Sequence, residues 1–527
     1  MTELRGCSGA DGCPAGEAAQ QLAETRTAAE SLGLPIPDSS HAVSVSLPRW
    51  ADNVGYEEGE LRVTSQMQCG YPRFFLHPRV RELFDAAAAR SERSAKSEDY
   101  TAFVFPSRKV AIRCAGFVSA TRGRTPTLEA FGRTGLWAVC LPREDSPAAM
   151  SFWQHSGEIV TSRMAEAALS DPERPLLGQD TRAENEPEAG SLTDTLTRRL
   201  GEWIQIEPDN IWLYPSGMAA VAAAHRAIMQ LRPGIRTVQL GFPYVDILKV
   251  QQHFGAGVCF LPRGDAADMA ELERRLREGR VSAVFCEIPG NPLLTCPDLP
   301  ALSALCRAAT VPLIVDDTLG ALFNTSLHQW ADVLVTSLTK YFSGYGDVMA
   351  GALTVNPASP LADAMRDAVG RTTENLLFAE DARVLERNSR DAPERIRQIN
   401  ATAEALCDWL RTRQEVESVA FPKFSTAENF AVCRRESGGY GGLFSLLLTE
   451  ASNRTPRFYD ALDVCRGPNL GTNFTLCCPY TLLAHYGELE FAEERGVSRW
   501  LLRFSVGLES FDWLKERFER AFAASAS

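Results

Sequence analysis

Lys340, in the run Ser337-Leu338-Thr339-Lys340-Tyr341, is the residue best suited to covalent chemistry in this chain. It follows Asp332-Val333-Leu334-Val335-Thr336, an apolar run that reads as a buried strand. A lysine must lose its proton before it can attack an aldehyde, and apolar surroundings lower its pKa by penalising the charged form. Most lysines at strand ends are plain surface charges, so Lys340 needs company to read as a Schiff-base residue. Upstream, Val311-Pro312-Leu313-Ile314-Val315 ends in Asp316-Asp317 and reads as a doubly buried strand of a parallel sheet. The C-terminal edge of such a sheet is where ligands bind. A carboxylate there can keep a pyridinium nitrogen protonated, which is what pyridoxal phosphate needs to act as an electron sink. The bland alternative is that Asp316 or Asp317 caps the next helix.

Two further segments fit the same pocket. Tyr214-Pro215-Ser216-Gly217-Met218-Ala219-Ala220 leads from the short strand Ile211-Trp212-Leu213 into an alanine-rich helix over Val221 to Met229. Small residues at a helix start let backbone N–H groups approach a phosphate, and the helix dipole favours the anion. An ordinary capped helix would have the same spelling. Val284-Phe285-Cys286-Glu287-Ile288-Pro289-Gly290-Asn291-Pro292 reads as another buried strand breaking into a turn, with Asn291 able to reach a ring hydroxyl.

With these motifs in this order, the chain resembles the Cys/Met-metabolism enzymes that use pyridoxal phosphate, in their fungal cystathionine gamma-synthase form. The resemblance runs from His41 to about Phe522 and takes in Gly70-Tyr71-Pro72-Arg73-Phe74-Phe75, Phe152-Trp153-Gln154-His155 and Gly241-Phe242-Pro243-Tyr244. Downstream it includes Gly471-Thr472-Asn473-Phe474 and Arg503-Phe504-Ser505-Val506-Gly507. It implies the aspartate-aminotransferase-like type I fold, α/β with a mostly parallel sheet covered by helices on both faces, plus a smaller α+β C-terminal domain. It also implies roles. Lys340 would bind the cofactor covalently and shuttle protons, and Asp316 would pair with the pyridinium nitrogen. Ser216, Gly217, Met218, Ser337 and Thr339 would hold the phosphate. Tyr244 would stack on the ring and assist proton transfer, and Asn291 would contact its 3-oxygen. Arg503 would clamp the substrate carboxylate.

One phosphate contact is expected from a neighbouring subunit, through a Tyr-x-Arg pattern ahead of the phosphate turn. Val160-Thr161-Ser162-Arg163 matches by position and Tyr71-Pro72-Arg73 by spelling, and Arg163 is the reading adopted. The chain departs from the family at Asn469-Leu470-Gly471, where serine is usual, at the doubly acidic Asp316-Asp317, and at Gly344-Tyr345-Gly346-Asp347. Asn469 can still bond a carboxylate but reshapes the pocket. The implied reaction is γ-replacement on an O-acylated L-homoserine, with the cysteine thiol as nucleophile. Fungal relatives in secondary metabolism use carbon or nitrogen nucleophiles, and Asn469 and Tyr345 speak for that alternative. A sulfhydrylase or a γ-lyase would keep every cofactor residue named above, and a non-catalytic regulatory family member is the remaining alternative, against which Lys340, Asp316, Tyr244 and Arg503 are all present.

At 527 residues the chain exceeds one compact domain. Its net charge of −13 argues against nucleic acid or an anionic membrane as partner, and no apolar run is long enough to span a bilayer. Met1 to about Ser40 reads as a disordered leader without a signal-peptide core, which makes the cytosol the default compartment. Fourteen cysteines without framework spacing fit reduced thiols, and seven scattered histidines predict no metal site. Residues 41–190 read as an N-terminal addition, with a helix over Arg79 to Ala89 and a linker from Asp171 to Gly190. Residues 191–365 read as the cofactor-binding domain, and 366–527 as the smaller domain, with a helix over Arg383 to Arg413 linking the two. The family builds each pocket across two subunits, so a dimer or tetramer is expected.

Overall fold

The computed structural model describes residues 14–27, 29–91, 99–176 and 191–526. Its centre is a seven-stranded sheet whose strands are short, apolar and covered on both faces. In chain order these are β4 (Ile211–Tyr214), β5 (Thr237–Leu240), β6 (Val258–Leu261), β7 (Val284–Glu287), β8 (Leu313–Asp316), β9 (Val333–Ser337) and β10 (Gly351–Val355). The spatial order is β4-β10-β9-β8-β7-β5-β6, and only β10 runs against the others. The family's mostly parallel sheet is therefore present.

The period of two explains why the sheet needs two helical layers. Phe285, Ile314, Val333 and Val335 face the helices Gly217–Leu231 and Ala362–Thr372. Val284, Cys286, Leu313, Val315 and Leu334 face the helices Ala266–Arg277 and Leu299–Ala308. With apolar residues on both sides, polar groups collect at the strand ends, and Glu287, Asp316 and Ser337 terminate β7, β8 and β9.

Ahead of this sheet stands a smaller unit. Strands β1 (Tyr100–Phe105), β2 (Thr127–Ala130) and β3 (Trp137–Pro142) pair antiparallel in the order β1-β3-β2. The helices Pro78–Arg90, Arg108–Arg122, Ser146–Ser156 and Ser162–Ser170 pack around them over Phe84, Phe103, Phe105, Phe152 and Trp153. The C-terminal unit holds β11 (Val416–Ala420), β12 (Leu443–Leu448), β13 (Cys465–Arg466), β14 (Leu476–Pro479) and β15 (Leu502–Ser505) in the order β11-β12-β15-β14-β13. Helices Ala392–Leu410 and Phe511–Ser525 close its core, where Phe444 and Phe504 stack at 4.8 Å.

Three sequence expectations change here. The leader is not featureless to Ser40: Pro14–Arg26 is a helix whose Ala19 and Ala23, one turn apart, bury against Ile36, Cys465, Phe474 and Leu476. Residues 1–13 lie outside the described residues. The linking helix is two helices, Ala379–Asn388 and Ala392–Leu410, because Pro393 opens the second and cannot continue the first. The expected linker is in part packed: Leu176 is buried and its N–H donates to the Thr134 carbonyl at 3.0 Å, while 177–190 lie outside the described residues. No described helix is long and apolar enough to cross a membrane. The cysteines among the described residues are free thiols.

Candidate active site

The strand ends of the large sheet open into a cavity of about 670 Å³, closed from above by the C-terminal unit and by residues from ahead of the sheet. Lys340 lies on its wall, buried, three residues past the end of β9. Burial, and then the charges of Arg503 and Arg73, hold its ammonium well below the ordinary lysine range. Its Nζ donates to Asn469 Oδ1 at 2.5 Å and sits 4.4 Å from the centre of the Tyr71 ring. A neutral amine in a cavity is what covalent attachment to an aldehyde requires.

Asp316 and Glu287 end adjacent strands in register, so two carboxylates meet at one edge of the cavity. Burial pushes Asp316 up to about 6, against hydrogen bonding from Thr318, whose N–H donates to Oδ1 at 2.8 Å. Glu287 is pushed up to about 8, by burial and then by the charge of Asp316. Glu287 also organises the loops, accepting the N–H of Tyr244 at 2.6 Å and of Asn291 at 2.9 Å. The choice between Asp316 and Asp317 is resolved by geometry. Asp317 turns away from the cavity and accepts the Thr325 hydroxyl at 2.6 Å.

Arg503 reaches in from β15. Its Nη1 donates to Asn291 Oδ1 at 3.2 Å and its Nη2 to the Asn469 carbonyl at 3.2 Å, with its guanidinium 4.9 Å over the Tyr480 ring. Asn469 holds φ at +119°, a region that side chains rarely adopt. Strain of this kind persists where surrounding contacts over-determine it, and here it turns the amide onto Lys340. The Asn469 Nδ2 is buried with no hydrogen-bond partner among the described residues.

Tyr244 follows β5 and begins the helix Val245–His253. Its hydroxyl accepts from Arg73 Nη2. Burial raises its pKa well above the ordinary value although Arg73 opposes this, so the hydroxyl keeps its proton. Arg73 in turn is fixed by Asp246 Oδ2 at 2.5 Å and by the Gln154 carbonyl at 2.8 Å, while His155 Nδ1 lies 2.9 Å from Asp246 Oδ1.

Of the residues singled out in the sequence, Lys340, Asp316, Asn291, Tyr244, Gly217, Met218, Ser337, Asn469 and Arg503 all line this cavity. Three do not. Ser216 caps the helix Gly217–Leu231, accepting the Ala219 N–H at 3.1 Å and donating to the Gly157 carbonyl at 2.8 Å, so its hydroxyl is fully occupied. The Thr339 hydroxyl is turned onto the Ala350 backbone. Arg163 is away from the cavity, bound to the Asp347 carbonyl at 2.8 Å and to Asp381 Oδ1 at 3.1 Å.

Of the two candidates, the arginine lining the cavity of this one chain is Arg73, with Tyr71 beside it. The segment that matched by spelling is thus the one at this cavity, and the segment that matched by position is not. The three-stranded unit between Arg73 and Ser216 made the sequence separation misleading. Tyr345, read as a mark of an altered pocket, is instead 42% exposed under Arg395 and does not line the cavity. Glu287, Asp246 and Tyr480 were missed, since at a strand end, in the first turn of a helix and just past a strand nothing in their spelling sets them apart.

These walls fit pyridoxal phosphate. Gly217 presents the first N–H of its helix where a side chain could not stand, because a Cβ there would lie 2.7 Å from Ser337 Cβ. The Ser337 hydroxyl, Arg73 and the helix start could supply phosphate donors, Asp316 a partner for a ring nitrogen, and Lys340 the amine.

Comparison with known proteins agrees. Residues 195–523 match the family described as Cys/Met metabolism PLP-dependent enzyme, and residues 79–161 match the fungal trans-sulfuration enzyme N-terminal domain. Cystathionine gamma-synthase of Neurospora crassa is 36% identical over 93% of this chain and 97% of its own length. The cystathionine gamma-synthase-like enzyme iboG2 of Amanita muscaria is 32% identical over 94% of this chain and 96% of its own. The crystal structure of cystathionine gamma-lyase from yeast superposes with a TM-score of 0.57 at 22% identity, covering 67% of this chain and 93% of that one, which shows a shared fold. With a cavity built for the cofactor and relatives aligned along nearly its full length, the chain belongs to the pyridoxal-phosphate-dependent enzymes of Cys/Met metabolism.

Proposed function

We propose that the protein catalyses γ-replacement on an O-acylated L-homoserine, as a cystathionine gamma-synthase does. The observation that carries this is a buried Lys340 amine bonded directly to Asn469, whose backbone carbonyl is held by Arg503, in one cavity. Pyridoxal phosphate, when bound, supplies an electron sink for negative charge developing next to the amino carbon. The protein does the rest. Arg503 binds the α-carboxylate in its planar fork, and the unpartnered Nδ2 of Asn469 supplies a second donor.

Lys340 Nζ, whose charged form burial disfavours, accepts the proton from Cα and returns protons at the end of the cycle. Tyr244 keeps its proton at neutral pH and already accepts from Arg73, so its O–H is free to donate to the departing γ-oxygen. Burial of Lys340 and Arg503, with Tyr244 half-buried beside them, keeps water from competing for these protons. Ser216, Thr339 and Arg163 have supporting rather than contacting roles in this reading. Assembly as a closed homo-oligomer in the cytosol completes it.

Replacement of the thiol by a carbon or nitrogen nucleophile is favoured by one observation, asparagine at 469 in the carboxylate loop; Tyr345 no longer counts toward it. The test is mass spectrometry of products from O-acetyl- or O-succinyl-L-homoserine with cysteine, sulfide or a β-keto acid. Cystathionine is expected. A carbon adduct formed while cystathionine fails to form would overturn the thiol reading.

A further inference from the structure

The cavity is also lined by Glu57 and Lys249, to which the γ-replacement reading gives no role toward the cofactor or the homoserine substrate. Glu57 closes the helix Trp50–Glu57 and lines the cavity half-buried, yet its carboxylate has no hydrogen bond or ion pair with any described residue. Burial alone pushes its carboxyl up to about 7, as expected of an acid that lacks a cation. Lys249 lines the same cavity from the helix that begins after Tyr244. Its one ion pair is with Glu488 at 3.3 Å, and Glu488 is shared with His485 Nδ1 at 3.0 Å. An ammonium has three donors, so Lys249 keeps capacity for another anion.

One rim segment joins the two positions. The Tyr486 hydroxyl donates to Glu58 at 2.6 Å, anchoring the end of the Glu57 helix, and Glu488 two residues on holds Lys249. A free carboxylate and an under-used ammonium at one cavity mouth match a molecule that carries one charge of each sign.

Resting on the γ-replacement reading, we propose that Glu57 and Lys249 select the second substrate as a zwitterionic α-amino acid, its ammonium on Glu57 and its carboxylate on Lys249. The first substrate's carboxylate is already claimed by Arg503 and Asn469, so two amino acids share one cavity without sharing a clamp. A thiol without both charges, or a β-keto acid without an ammonium, lacks half of this recognition.

The test measures KM in the holoenzyme, with O-acetyl-L-homoserine as first substrate, for L-cysteine, 3-mercaptopropionate (no ammonium) and cysteamine (no carboxylate). In Glu57→Gln, KM for cysteine rises about 10-fold or more while KM for 3-mercaptopropionate moves less than about 2-fold, since one charge-assisted bond is lost only where the ammonium exists. Lys249→Gln gives the mirror result, sparing cysteamine. In both, KM for the homoserine ester shifts less than about 2-fold, since its clamp is elsewhere. Equal rises for cysteine and its truncated analogue, or an unchanged KM for cysteine, would overturn the assignment. If the wild-type enzyme releases the acyl group but joins no thiol, the assignment falls and the cofactor reading stands. If the protein carries no pyridoxal phosphate at all, both fall together.

Discussion

Arg73 and Arg163 both come from ahead of the seven-stranded sheet, and each ends on an aspartate that is 1% exposed. Their surroundings differ. Arg73 divides its guanidinium between Asp246, the Gln154 carbonyl and the Tyr244 hydroxyl, at the wall of the cavity. Arg163 ties the helix Ser162–Ser170 to the helix Ala379–Asn388 through Asp381, away from it. The carboxylates respond in opposite directions. Burial opposes the charge on Asp246, but Arg73 and His155 outweigh it and hold the acid down at about 2. At Asp381 burial outweighs Arg163, and the acid stays above its ordinary range. The same residue pair is thus a charged support for the Tyr244 hydroxyl at the cavity in one region and a structural tie in the other.

The widest separation is expected from the two arginines themselves. Arg73→Met weakens pyridoxal phosphate binding by about 10- to 100-fold, measured by cofactor titration of the apoenzyme, since charge-assisted contacts of this kind carry that much. Arg163→Met leaves cofactor affinity within about 2-fold, since its partners lie outside the cavity, but lowers unfolding free energy by about 3 kcal/mol because Asp381 loses its cation. Equal losses of cofactor affinity in the two variants would erase the distinction.

The pH dependence is a smaller effect with a definite sign. The folded-state pKa of Asp246 is depressed to about 2, so its contribution is present above the ordinary carboxylate value near ~4 and is lost as pH falls toward 2. Asp381 has a raised pKa, so its contribution is full below the ordinary value and is lost as pH rises through the raised one. In urea melts across pH, Asp246→Asn flattens the acid limb, whereas Asp381→Asn flattens the decline on the other side. The reverse pattern would mean that the two environments have been misjudged.

The sequence carried the site best where chemistry followed directly from a buried strand. Apolar runs bounded by polar residues located β7, β8 and β9, and Asn291, Asp316 and Lys340 came with them. It failed where a choice depended on what a side chain bonds to. The hydroxyls of Ser216 and Thr339 satisfy nearby backbone, a competition that composition does not reveal. It also failed where spacing stood in for distance: an inserted three-stranded unit lies between Arg73 and Ser216, yet Arg73 folds back onto the cavity. The helix Pro14–Arg26 was overlooked because its buried face is mostly small residues, Gly16, Ala19 and Ala23, with the single larger apolar residue Leu22 half-buried beside them.

The most direct test of the account is to reduce the holoenzyme with borohydride, digest it and locate the pyridoxyl group by mass spectrometry. The account predicts one modified peptide, carrying the group on Lys340 Nζ, and none in Lys340→Ala. A pyridoxyl group on another lysine, or full cofactor loading without any covalent adduct, would contradict it.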